Sequence, residues 1–282
     1  MEIEESSQAD GELPGNTDGL LAGFAAGIRV AGYRLEEQIG TGGMAMVFRA
    51  LDERLGRPVA LKVLAPAFAS DEGFRKRFIL ESRAAAAIDD PHIIPIHEAG
   101  QAGRVLFIAM RYVPGGDVGG LLRRGGPLPA DRAAAIISPV ASALDAAHAA
   151  GLVHRDVKPA NMLLDVRPGR PDHVYLSDFG ISKGVVSSAG LTTGGQLLGT
   201  PGYTAPEQIQ SKPVDGRTDQ YALACAAFEM LTGQRPFQRD ETSAVLWAQL
   251  SEPPPSLTSR RPKSWRWPAS LKPGALWRPP TA

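Results

Sequence analysis

Between Tyr33 and Pro255 the spacing of apolar positions changes from period two, or continuous, to helical and back. Tyr33-Arg34-Leu35, Met46-Val47-Phe48-Arg49-Ala50, Val59-Ala60-Leu61-Lys62-Val63-Leu64, Pro91 to Ile96 and Val105 to Met110 predict strands. Among them, Ser70-Asp71 caps a predicted helix on which Phe74, Phe78 and Ile88 recur at helical spacing and which carries Glu81. From Pro129 the period is helical. Ile136, Val140, Leu144 and Ala147 make one face, and Pro139 inside it predicts a kink or a lost hydrogen bond. Met162-Leu163-Leu164 and Val174-Tyr175-Leu176 read as a short hairpin. Thr218 to Gly233 is apolar nearly all round and ends on a C-capping glycine, so it predicts a core helix. A further helix, carrying Trp247, is predicted over Ala244 to Leu250.

Composition narrows the class. The 282 residues are 43% hydrophobic, enough for one large domain or two smaller lobes. Formal net charge is zero, so no global basic field points to nucleic acid or an anionic membrane surface. A single cysteine, Cys225, excludes an intramolecular disulfide framework; its apolar neighbours predict a buried structural thiol in a reducing compartment. The most apolar long stretch, Leu20 to Val30, is shorter than a membrane span and includes Gly23, Gly27 and Arg29, so the expected location is the cytoplasm. Residues 1–32 read as a disordered acidic tail and lead-in. Residues 256–282 hold no acid, many prolines and Trp265, Trp267 and Trp277.

Chemistry concentrates in Val153-His154-Arg155-Asp156-Val157-Lys158-Pro159-Ala160-Asn161 and in Asp178-Phe179-Gly180, which follows the predicted hairpin. Two carboxylates, a lysine and an amide gathered there suit a divalent metal and an attacking hydroxyl, the needs of phosphoryl transfer. Nearer the N-terminus, Gly40-x-Gly42-x-x-Ala45 also fits a dinucleotide fingerprint, but that motif opens a helix. Met46 to Ala50 reads instead as a returning strand, so the glycines turn a hairpin whose N–H groups can meet phosphate oxygens.

His154-Arg155-Asp156-x-Lys158-x-x-Asn161 with Asp178-Phe179-Gly180 resembles the catalytic and metal loops of eukaryotic-type serine/threonine protein kinases. Gly42-Gly43-Met44 and Ala205-Pro206-Glu207-Gln208 resemble the bacterial branch. The resemblance implies an α+β, two-lobed protein kinase fold: a small antiparallel β lobe with one main helix (33–110), a hinge near Arg111, and a mostly helical large lobe (111–255). It implies ATP and Mg²⁺ as cofactors, with Asp156 as base, Lys158 on the transferring phosphate, and Asn161 and Asp178 on the metal. The glycine-rich loop Ile39, Gly40, Thr41, Gly42, Gly43, Met44, Ala45, Met46 and Val47 would cover the phosphates, and Lys62 would hold them, paired with Glu81. Backbone groups of Arg111 and Val113 would meet the adenine edge, with Met110 at the back of the pocket.

By the same resemblance Gly199 to Glu207 seats a protein substrate. Lys158 and Thr200 imply a serine or threonine acceptor. Asp219 would accept hydrogen bonds from the backbone near His154. Arg155, a cation beside the base, implies activation by a phosphate on Thr192 or Thr193, with Ser187 and Ser188 as weaker sites, and hence autophosphorylation through a transient dimer. The sequence departs from the family in three places. Ala45 replaces the third glycine, Arg111 stands where many relatives carry an acid, and the later large-lobe helices, with the arginine that pairs with Glu207, are not recognisable. The expectation is a truncation or frameshift after about Arg261, leaving Glu207 buried without its cation. The rival reading is a catalytically impaired nucleotide-binding pseudoenzyme that acts by binding a partner.

Overall fold

The computed structural model of the chain describes residues 24–42, 45–179 and 200–260. Regular structure begins at β1 (Arg29–Val30), earlier than the expected start at Tyr33, because this short strand pairs back onto Tyr33 and Arg34. β2 (Tyr33–Gly42), β3 (Ala45–Asp52) and β4 (Arg57–Leu64) follow as antiparallel neighbours. α1 (Pro66–Ala69) and α2 (Glu72–Ala86) come next; Asp71 caps α2 by accepting from the Phe74 N–H at 2.9 Å. β5 (Ile96–Ala102) and β6 (Val105–Arg111) complete an antiparallel sheet of order β1-β2-β3-β4-β6-β5.

Period two along β4 sorts its side chains. Val59, Leu61 and Val63 join Tyr33, Leu35, Phe48 and Phe107 in one buried cluster, while Leu64 packs with Phe74 and Phe78 of α2. Lys62 shares a face with Ala60 and Leu64, opposite Val59, Leu61 and Val63. The strand expected over Pro91 to Ile96 begins only at Ile96. Its first residues instead bridge to the large lobe: Leu176 N–H donates to His92 and Ile94 N–H to Leu176, at 2.7 and 3.0 Å. Proline at 91 and 95 removes two donors from a would-be ladder.

Beyond the hinge lie α3 (Val118–Gly125) and α4 (Ala130–Ala149), then the hairpin β7 (Met162–Asp165) and β8 (His173–Leu176). α4 runs on through Pro139 as a single element and forgoes the hydrogen bond that a proline nitrogen cannot donate. α5 (Pro206–Ile209), α6 (Gly216–Thr232), α7 (Thr242–Ser251) and α8 (Leu257–Arg260) follow. α8 is a helical turn beyond the boundary expected at Pro255, and Leu257 packs against the core.

α4 and α6 form the centre of the large lobe. Ala133, Ala143 and Ala147 of α4 and Ala222, Cys225, Ala226 and Met230 of α6 are all buried, small side chains allowing the helices to approach closely. Asp215 caps α6 by accepting from the Arg217 N–H, and Gly233 closes it in the left-handed conformation at φ 76°. Burial pushes the Cys225 thiol up to about 12, which keeps it protonated and inert. Among the described residues no helix is long and apolar enough to cross a membrane.

Candidate active site

The catalytic loop hangs from α6 by one carboxylate. Asp219, 0% exposed, accepts from the Arg155 N–H through Oδ1 and from the His154 N–H through Oδ2, both at 2.7 Å. His148 of α4 adds a third contact, its Nε2 lying 2.7 Å from Oδ2. Backbone donors held this way need no other partner, so the loop can take a strained form. Arg155 has φ 64° and Asp178 φ 58°, left-handed conformations that cost a non-glycine residue about 1 kcal/mol or more each.

His154 locks the loop to the hairpin. Its Nδ1 accepts the Asp156 N–H at 3.2 Å, so the ring proton sits on Nε2 and is donated to the Ser177 carbonyl at 3.0 Å. Burial, partly offset by Asp219, pushes its pKa down; the ring stays neutral and packs 4.7 Å from Phe179.

Beside it the polar residues converge. Lys158 Nζ donates to Asp156 Oδ2 at 2.8 Å, and Asn161 Nδ2 donates to the Asp156 carbonyl at 2.8 Å and to Oδ2 at 3.3 Å. With its NH₂ committed, Asn161 keeps its amide oxygen as a ligand. Met162 pairs with Leu176 across the hairpin, and Ser177 N–H donates to the Asn161 carbonyl at 2.9 Å, which sets Asp178 next to Asn161. From the small lobe Lys62 Nζ reaches Asp178 Oδ1 at 2.8 Å.

Here one expectation is corrected. Lys62 takes Asp178 as its ion partner, and among the described residues no ion pair joins it to Glu81. Glu81 is half-buried on α2; burial raises its pKa, opposed by the charges of Arg155 and Arg77. The Arg155 Nε is buried without a hydrogen-bond partner.

Ile39, Gly40, Thr41 and Gly42 lie on β2, facing Ala45, Met46 and Val47 of β3, with Gly40 opposite Val47 and Gly42 opposite Ala45. Gly43 and Met44, at the tip, are outside the described residues. Ala60, Ile94, Met110, Val113 and Tyr175 form a buried cluster with Val47, Tyr112 and Leu163 packed against it, which brings the sheet, the hinge and the β7–β8 hairpin together. Val113 N–H and C=O have no backbone partner among the described residues. A methyl group on Gly115 would overlap the Leu164 carbonyl oxygen, so only glycine lets the hinge pass this close to β7.

Thr200 opens the turn Pro201–Tyr203. Below it the Tyr203 hydroxyl donates to Glu229 and the Arg235 guanidinium lies over the Tyr203 ring at 5.4 Å. Gln208 ties this segment to the catalytic loop, accepting from Ala205 N–H at 3.0 Å and donating to the Arg155 carbonyl at 3.2 Å. Glu207 is corrected too: it is partly rather than fully buried, and accepts from the Thr218 hydroxyl at 2.6 Å. Partial hydration and a hydroxyl remove most of the penalty an isolated buried charge would carry. Gly180, Ser187, Ser188, Thr192 and Thr193 lie outside the described residues.

The residues present fit ATP and Mg²⁺. Asn161 and Asp178 offer hard oxygen ligands, the set Mg²⁺ takes when phosphate and water complete its shell. Apolar side chains around Val113, whose backbone N–H and C=O lack a backbone partner among the described residues, suit a flat heterocycle, and Lys62 supplies a cation toward phosphate.

Sequence reasoning assigned no role of their own to His148 and Glu229, and took Tyr203 and Gln208 only as parts of a family segment. Their partners are distant in the chain, so no local spacing marks them.

Comparison with known proteins agrees with this geometry. Residues 33–275 match the protein kinase domain. The chain is 43% identical over 241 residues to serine/threonine-protein kinase PknJ of Mycobacterium tuberculosis, covering 85% of this chain and 41% of the relative. It is 43% identical over 243 residues to serine/threonine-protein kinase PknF of the same organism, covering 85% and 51%. The chain thus spans about half or less of these relatives. The crystal structure of the Mycobacterium tuberculosis PknI kinase domain superposes with a TM-score of 0.66 at 36% identity, covering 86% of each chain. By match, fold and catalytic loop together, the chain belongs to the protein kinase family.

Proposed function

We propose that this chain is a protein serine/threonine kinase that transfers the γ-phosphoryl group of ATP to serine and threonine hydroxyls of proteins, itself included. The observation that carries the reading is the assembled catalytic loop. Asp156 is flanked by Lys158 and Asn161 at hydrogen-bond distance, on a backbone fixed by buried Asp219. In this reading Asp156 accepts the proton of the acceptor hydroxyl, and Lys158 holds the carboxylate in place and balances charge on the group in flight. Asn161 and Asp178 would hold Mg²⁺, which when bound neutralises phosphate charge. Lys62 orients the phosphates. Val113 and the Arg111 backbone orient the base, and the segment from Thr200 to Glu207 seats the acceptor. Asp156-x-Lys158 and Thr200 favour serine and threonine over tyrosine. The reaction belongs in the cytoplasm, where ATP is present and a lone thiol stays reduced.

A second reading is favoured by one observation, the Lys62–Asp178 ion pair in place of Lys62–Glu81. A chain held in that arrangement would bind nucleotide with little transfer and act through a partner. Intact mass after incubation with Mg-ATP, beside Asp156→Asn and with thermal melts of both, separates the two. Phosphate added to the parent alone is the expected outcome. A melt raised by Mg-ATP with no added phosphate would sink the kinase reading in favour of the second.

A further inference from the structure

The adenine edge needs only the backbone of Arg111, yet its side chain is engaged with the other lobe. Arg111 ends β6 in the small lobe. Its Nη2 donates to Asp165 Oδ2 at the end of β7 at 3.3 Å, and its guanidinium carbon sits 5.1 Å over the Tyr175 ring on β8. Asp165 is also bound by Arg167 at 2.8 Å. The stack continues away from the hinge: the His173 ring is 4.4 Å from Tyr175, and the His92 ring is 4.7 Å from His173. Each histidine is tied to backbone across the lobe boundary, His92 to the Val174 carbonyl at 2.9 Å and His173 to the Pro91 carbonyl at 2.8 Å.

Two features set this group apart from an ordinary surface ion pair. The Asp165 side chain is 9% exposed, so its charge is poorly screened. Tyr175 belongs to the same buried cluster as Ala60, Met110 and Val113, the residues that the kinase reading sets around adenine.

We propose that Arg111 is a positioning residue: with Asp165 and Tyr175 it forms a clasp that holds the hinge against the β7–β8 hairpin and so keeps the adenine-binding backbone of the hinge in place. The inference rests on the kinase reading. Arginine suits the role because its planar group can stack on a ring and donate to a carboxylate at the same time; lysine can do only the second. An acid at 111 would be repelled by Asp165.

The test is a set of variants of the 282-residue chain, Arg111→Met, Arg111→Lys, Tyr175→Leu and the Arg111→Met/Tyr175→Leu pair. Arg132→Met serves as control, since it breaks an exposed large-lobe pair with Asp172 at 3.2 Å. Direct binding of a fluorescent ATP analogue with Mg²⁺ is measured first, then KM and kcat, then amide hydrogen exchange over 105–113 without nucleotide. Arg111→Met is expected to raise the analogue Kd and the KM for ATP about fivefold, with kcat and the peptide KM nearly unchanged. Exchange over 105–113 should quicken, Arg111→Lys should recover part of the loss, and the double variant should be little worse than either single. Arg132→Met should behave as the parent.

An unchanged analogue Kd in Arg111→Met, with a parent that binds and transfers, overturns the clasp and leaves the kinase reading standing. Equal losses in ATP and peptide KM with a lowered melt would mean a merely structural residue and overturn it too. A parent that binds no nucleotide overturns both.

Discussion

The catalytic loop and the Lys62–Glu81 region are built from equally diagnostic residues, yet the structure treats them differently. In the loop the expected contact from Asp219 to the backbone forms, and Lys158 and Asn161 both bond Asp156 while Ser177 N–H bonds the Asn161 carbonyl. In the small lobe the implied ion pair does not form, and Lys62 bonds Asp178. The loop's partners all belong to one lobe and are mostly buried, so any break would orphan a donor or acceptor at a cost of about 1 to 3 kcal/mol. Lys62 and Asp178 belong to different lobes, and their side chains are 17% and 31% exposed. Exchanging one carboxylate for another there costs little. Buried polar satisfaction makes a contact unique; a half-hydrated ion pair across a lobe boundary is interchangeable.

The comparison can be broken at its strongest point first. Asp156→Asn should lower transfer by roughly 10²- to 10⁴-fold, the range for a lost general base, with the melt unchanged. Radiometric transfer to a serine peptide checks the first half and calorimetry the second. Asp219→Ala attacks the scaffold. It leaves two backbone N–H groups without an acceptor and should destabilise the chain by about 3 kcal/mol or more, read by urea unfolding, with activity falling alongside. Should its stability match the parent's, the loop is not hung from α6 as described.

Smaller effects test the other region. Lys62→Met should change stability by less than about 1 kcal/mol, because a part-exposed pair contributes little, while the Kd for Mg-ATP rises clearly. The smallest effect is at Glu81. Its folded pKa is raised by burial, so the folded state binds its proton more tightly than the unfolded chain does. Stability must then fall as pH rises from the ordinary glutamate value of 4.5 through the raised folded value. Glu81→Gln should flatten that slope and leave stability at neutral pH equal or slightly higher. A slope retained in the variant would assign it to another group.

Much of this was legible beforehand where the signal is local. The strand-glycine-strand unit, Lys62 on a buried strand, the hairpin after Asn161 and the core helix ending at Gly233 all appear as expected, since each follows from a period or a turn residue. The contact from Asp219 to the backbone at His154 was also anticipated, from the resemblance rather than from spacing. What was missed depends on distance in the chain. Pro91 to Ile96 has strand composition, but its pairing partner is Leu176 in the other lobe. His148 reads as one more residue of an alanine-rich helix until Asp219 is seen beside it.

Sequence alone determined which residues could do the chemistry and which element carries each one, because residue type, period and turn preference are properties of the local chain. Tertiary structure decided which of several possible partners each charge takes: Asp178 rather than Glu81 for Lys62, Thr218 for Glu207, and Asp165 with Tyr175 for Arg111. The physical reason is that an ion pair or a stacked ring is worth a kcal/mol or so only within a few ångströms and out of water. Those distances are set by how the two lobes pack.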